Sequence, residues 1–131
     1  MGSEEEGKNA ASRDDKSGID SKPEGVHLRV SGMQDEDVFT RDSVYTEAMS
    51  VVKKIMKMIQ VSDFALNVKK YHEAGSRHKF SIRIRLVSGS DIFQADDYEW
   101  DIHKAVKKTL EKLEREVHRR EAKKTVYTRA P

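Results

Sequence analysis

The stretch that decides the fold runs from Lys79 to Lys124: KFSIRIRLVSGSDIFQADDYEWDIHKAVKKTLEKLEREVHRREAKK. Its opening residues alternate. Phe80, Ile82, Ile84 and Leu86 take one face, and Lys79, Ser81, Arg83 and Arg85 take the other. That period of two predicts a strand with one buried and one solvated face. Ser88-Gly89-Ser90 predicts a turn and Asp91–Ala95 a short strand. Asp96–Asp101 reads as an acidic turn, with Asp101 as the N-cap of a following helix. Ile102, Val106, Leu110, Leu113 and Val117 then recur at steps of three and four, the stripe of an amphipathic helix. Lys104, Lys107, Lys108, Lys112, Arg115, Arg119 and Arg120 are expected on its opposite side. Glu111 and Arg115 are four apart in the favourable orientation, so part of this charge is ordinary helix support.

Upstream, the same two periods return. Val26, Leu28 and Val30 alternate with His27 and Arg29, predicting a strand that Gly32 ends. Val44, Ala48, Val51, Val52, Ile55 and Ile59 form a helical stripe over Ser43–Gln60, capped by Asp42 or Ser43 and widened toward the core by Met49, Met56 and Met58. Phe64, Leu66 and Val68 alternate with Asn67, Lys69 and Tyr71, and His72–His78 is expected as a hairpin loop around Gly75. The order is β-α-β-β-β-α. Each strand has one apolar face, so both helices must cover the same side of the sheet. The fold class is therefore α+β: a two-layer sandwich with a four-stranded mixed sheet and two helices on one face. The first helix is long enough to be a crossover between parallel strands.

A chain of 131 residues, 36% apolar and 37% charged, suits one small domain with much polar surface. Residues 1–24 are almost wholly polar and are expected to be a disordered tail. The folded domain is expected over 25–122, and 123–131 as a flexible tail. With no cysteine, disulfides and thiolate chemistry are excluded. No apolar run is long enough to span a membrane, and the N-terminus lacks the apolar segment of a secretory signal. Glu6 stands where a myristoylation motif needs Ser or Thr. The expectation is a soluble cytoplasmic protein.

The net charge of +2 conceals unlike blocks: residues 49–90 sum to +7, 91–101 to −5 and 102–131 to +6. Such blocks point to a polyanionic partner. Enzymatic motifs are absent. There is no phosphate-binding glycine loop, no His-Glu-x-x-His and no Gly-x-Ser-x-Gly, and the five histidines do not cluster at metal-ligand spacing. The acids at 91–101 read as a solvated helix start, and Trp100 as a residue docked on the core. The chain is read as no enzyme, with no cofactor or metal and no small-molecule substrate. What remains is a basic surface. On the sheet it comprises Lys69, Lys79, Arg83 and Arg85, with Arg77 in the hairpin loop. On the second helix it comprises Lys104, Lys108, Lys112, Arg115, Arg119 and Arg120. Binding of RNA, mostly through phosphates, is the expectation, with Tyr71 and the loop histidines as added stacking groups.

Lys79–Lys124 also resembles the ribosome hibernation-promoting factors, a family also called ribosome-associated translation inhibitors or sigma-54 modulation proteins. In that family a strand carrying an alanine and an acidic stretch leads into Asp-x-Tyr-x-Ala-Ile-Asp and a helix ending in Lys-Leu-Glu-Arg and basic residues. Here Asp101-Ile102-His103-Lys104-Ala105-Val106 stands at the first motif, with His103 for the tyrosine and Lys107 for the second aspartate. Lys112-Leu113-Glu114-Arg115 matches the second, followed by His118-Arg119-Arg120. The resemblance spans Val26 to Arg120 and is to the short, single-domain type. It implies binding to rRNA of the small ribosomal subunit as a monomer, and steric inhibition of translation with preservation of idle ribosomes. The alternatives are a double-stranded RNA-binding module, disfavoured by the acidic start of the last helix, and an interaction domain for an acidic protein partner.

Overall fold

The computed structural model describes residues 25–72, 75 and 78–129. Six elements follow in the expected order: β1 (His27–Ser31), α1 (Val38–Ile55), β2 (Asp63–His72), β3 (His78–Ser88), β4 (Asp91–Glu99) and α2 (Ile102–Arg129). The strands form one sheet in chain order. β1 pairs parallel with β2, placing Leu28 beside Phe64 and Val30 beside Leu66. β2–β3 and β3–β4 are antiparallel, so Leu66, Ile84 and Ala95 lie in one row across the sheet. The α+β sandwich with a mixed sheet stands as expected.

One face of this sheet is dry. Phe64, Leu66, Ile82, Ile84, Leu86 and Phe93 are buried there against Val44, Ala48 and Val52 of α1 and Leu110, Leu113 and Val117 of α2. Side chains of this size each contribute about 1.5–3 kcal/mol on leaving water. Burial of this set holds both helices on one side. Ala105 and Thr109 are also buried on α2, and the Thr109 hydroxyl satisfies itself by donating to the Ala105 carbonyl at 2.7 Å. Gly32, at φ +85°, closes β1, and a Cβ there would overlap the Val68 carbonyl oxygen. The β1–α1 turn therefore lies directly on the β2 backbone, which only glycine permits.

The element ends depart from expectation in four places. α1 begins at Val38, with the Asp37 carboxylate accepting from the Thr40 amide at 2.8 Å, and it ends at Ile55. The cap lies five residues before Asp42 because the first turn, with Val38 and Phe39, buries no apolar stripe that periodicity could register. β4 runs to Glu99, so Asp96–Glu99 is paired strand, opposite Phe80–Arg83. Long β3 offers a ladder that extends the pairing beyond the apolar residues. α2 continues to Arg129, through most of the segment expected as a flexible tail. Good helix formers at Glu121, Ala122, Lys123 and Lys124 extend it, and Lys124 ties it to Asp91 at 2.7 Å. Trp100 is 43% exposed, since it follows the end of β4, beyond the covered sheet. The expected N-terminal tail, the loop residues 73–74 and Arg77 lie outside the described residues.

Candidate nucleic-acid interface

The second face of the sheet carries no helix. Register places Arg29, Ala65, Asn67, Lys69 and Tyr71 of β1 and β2 on it, beside Lys79, Ser81, Arg83 and Arg85 of β3. Lys69, Arg83 and Arg85 are exposed. None of these cations has a carboxylate within 4.0 Å among the described residues. Lys79 instead lies over the Tyr98 ring, 4.5 Å from its centroid. A shallow cleft runs between β2 and β3, lined by Asn67, Lys69, Tyr71, Ser81 and Arg83. The acids of this face are Asp63, 3.5 Å from His27 at the opposite end, and Asp96, across the ladder from Arg83. Asp96 reaches the open face only because β4 continues past Ala95.

The cations of α2 are differently placed. They belong to the helix layer, and most are engaged. Lys108 contacts Glu99 at 2.9 Å and Asp97 at 3.6 Å, and Lys112 contacts Asp97 at 3.4 Å and donates to the Asp96 carbonyl at 3.0 Å. Asp97 and Glu99 are the alternate residues of β4 that turn toward α2. Further along, Glu116 takes both ends of the Arg119 guanidinium (2.7 Å at the nearest) and Arg120 at 2.9 Å. Arg120 also stacks over Phe93 at 4.3 Å. Lys104, Lys107 and Arg115 make no ion pair within 4.0 Å among the described residues.

Titration follows this pairing. The Lys108 ammonium holds Glu99 below its ordinary value, and Glu99 and Asp97 in turn raise Lys108. Burial pushes Asp97 up, but the Tyr98 amide, Lys112 and Lys108 outweigh it and leave Asp97 lowered. Lys124 lowers Asp91, and Asp91 raises Lys124. Arg119 and Arg120 lower Glu116. At the start of α2, Asp101 accepts from the amides of His103 at 2.7 Å and Lys104 at 3.4 Å, so that helix end is closed by a carboxylate.

The structure therefore brings Lys69, Lys79, Arg83 and Arg85 together on one face. It keeps Lys104, Lys108, Lys112, Arg115, Arg119 and Arg120 apart from them, in the other layer. Arg29 is the basic residue that the sequence reading left out of the site, although its alternation with Leu28 and Val30 was the available signal. Among the described residues, no group of three or more His, Asp or Glu side chains is placed to hold a metal, and no helix is long and apolar enough to cross a membrane.

The family model for the C-terminal domain of the hibernation factor Hib matches residues 27–129. Among curated proteins none matches the chain. Among solved structures, the N-terminal domain of Protein Y from Thermus thermophilus superposes with a TM-score of 0.50 at 13% identity, covering 72% of this chain and 97% of that one. A ribosomal subunit interface protein from Coxiella burnetii gives a TM-score of 0.47 at 16% identity, covering 74% of this chain and 97% of its own. At 13% identity, the first of these likenesses concerns the fold.

Proposed function

The chain belongs to the hibernation-factor family, through the C-terminal domain of Hib, and from that membership we propose that it is a ribosome-associated factor that sequesters idle ribosomes without turning over a substrate. Its ligand is rRNA of the small subunit. The observation that carries this reading is the open sheet face, where Arg29, Lys69, Arg83 and Arg85 stand without carboxylate partners among the described residues. A phosphate arriving there displaces water and condensed counterions, and breaks no internal ion pair. Release of those counterions favours binding.

The mechanism is steric. Burial of the opposite face holds the strands in fixed register, so the cations are arranged before RNA arrives and little ordering cost remains. The bound domain occupies its groove and excludes other ligands from it. Lys104, Lys107 and Arg115 extend the contact from the helix layer. The double-stranded RNA-binding alternative has less support, because Asp101 closes the N-terminus of α2 that would face phosphates in such a module.

Sucrose-gradient fractionation of a native lysate, probed for the protein, tests the proposal. Co-sedimentation with small subunits or their idle assemblies, lost as salt rises, is expected. Retention of duplex-RNA binding without small-subunit association would favour the general RNA-binding alternative. Association with neither would favour an acidic protein partner.

A further inference from the structure

The open face holds more than charge. Asn67, Lys69 and Tyr71 alternate along β2, and their partners across the ladder are Arg83, Ser81 and Lys79. Together Asn67, Lys69, Tyr71, Ser81 and Arg83 line the shallow cleft. Tyr71 is 42% exposed, and among the exposed aromatics Phe39, Tyr98 and Trp100 it alone lines this cleft. The Asn67 side-chain nitrogen donates to the Ser31 hydroxyl at 2.8 Å. That bond fixes the amide orientation and leaves Oδ1 as an acceptor.

Binding phosphates needs no aromatic wall. A duplex would leave Tyr71 without a partner, because its bases are already stacked and it presents backbone and shallow groove edges. An unpaired base has two free faces and an exposed hydrogen-bonding edge. We propose that this β2–β3 cleft is a nucleobase subsite for unpaired RNA. In it Tyr71 stacks on the base, Asn67 Oδ1 accepts from an exocyclic amine, and Lys69 and Arg83 hold the adjoining phosphates. The inference rests on the RNA-binding reading and adds a ligand class to it: single-stranded, amine-bearing nucleotides.

The test compares full-length protein binding to labelled single-stranded oligoadenylate and to the same backbone lacking bases, by fluorescence anisotropy. Wild type binds the oligoadenylate about tenfold more tightly, the scale of one base–aromatic stack. Tyr71→Ala removes that advantage and changes abasic binding by less than about twofold. Tyr71→Phe keeps the advantage, since the ring and not the hydroxyl carries it. Lys69→Glu with Arg83→Glu weakens both polymers. If wild type binds the two polymers equally, or Tyr71→Ala weakens both alike, the subsite is overturned while RNA binding stands. If wild type binds neither polymer, the subsite is overturned, and co-sedimentation with small subunits decides the RNA-binding reading separately. The wild-type comparison needs no variant, so a poorly folding substitution does not shield the proposal.

Discussion

Arg83 and Arg85 stand on the open sheet with no carboxylate within 4.0 Å among the described residues, whereas Lys108 and Lys112 share Asp97 and Glu99 at 2.9–3.6 Å. Both sets read as the polar face of an amphipathic element. Their availability to a polyanion differs. Under the proposed function, RNA reaching Arg83 would trade water and counterions for phosphate. RNA reaching Lys108 would first have to break contacts that already neutralise it. Exposed ion pairs add little to stability in general, so those on α2 matter more for where charge is free than for how firmly the helix docks. Counting basic residues along a helix therefore overstates its share of a binding surface.

The comparison breaks most visibly if the sheet is not the binding face. Arg83→Glu with Arg85→Glu is expected to weaken small-subunit binding about a hundredfold, with circular dichroism unchanged and the melting temperature slightly lowered, because a carboxylate at 83 faces Asp96 across the ladder. Retained co-sedimentation of the folded double variant would remove the open sheet from the interface. Lys107→Glu with Arg115→Glu reverses cations of α2 that carry no ion pair. A loss of about tenfold, read in the same gradients, would show the helix layer as a secondary contact. Lys108→Ala with Lys112→Ala tests the engaged set. Affinity should fall by less than about threefold, while the melting temperature drops by a few degrees; a loss matching that at Arg83 and Arg85 would erase the distinction.

The smallest effect is on pH dependence. Asp91, Asp97, Glu99 and Glu116 are lowered in the fold, so the stability they contribute is present above the ordinary carboxylate range and is lost as pH falls through their depressed values. Lys108 and Lys124 are raised, so their contribution is present below the ordinary lysine value and is lost as pH rises through the elevated one. Melting temperature should therefore plateau between about pH 5 and pH 9 and decline on both sides. Replacing Lys108 and Lys124 by alanine should shallow both declines. An unaltered profile would show that the α2–β4 pairs contribute nothing to stability.

Much of the fold was legible in periodicity because burial is a one-face requirement that leaves its mark every second or third residue. Phe80, Ile82, Ile84 and Leu86 name the inner face of β3, and Ile102, Val106, Leu110, Leu113 and Val117 name that of α2. Asp101 was legible as a cap because its chemistry is local. Three of the missed boundaries lie where the buried face ends but the hydrogen-bonded ladder or helix does not, at Val38–Arg41, Asp96–Glu99 and the turns of α2 beyond Lys124; the fourth is the reverse, since α1 stops at Ile55 while Met56, Met58 and Ile59 still pack on the core. At the first three the backbone continues without an apolar signal.

The sequence by itself determined the two-layer architecture, the inner faces and the presence of Lys69, Lys79, Arg83 and Arg85 opposite a buried row. Only the tertiary structure decided which cations remain free. The extension of β4 brings Asp97 and Glu99 beneath α2, across gaps of nine to fifteen residues in the chain, and the later turns of α2 bring Lys124 to Asp91 across 33. Pairing of this kind depends on strand register and helix placement. Both are set by packing the whole core, and no short stretch of sequence contains them.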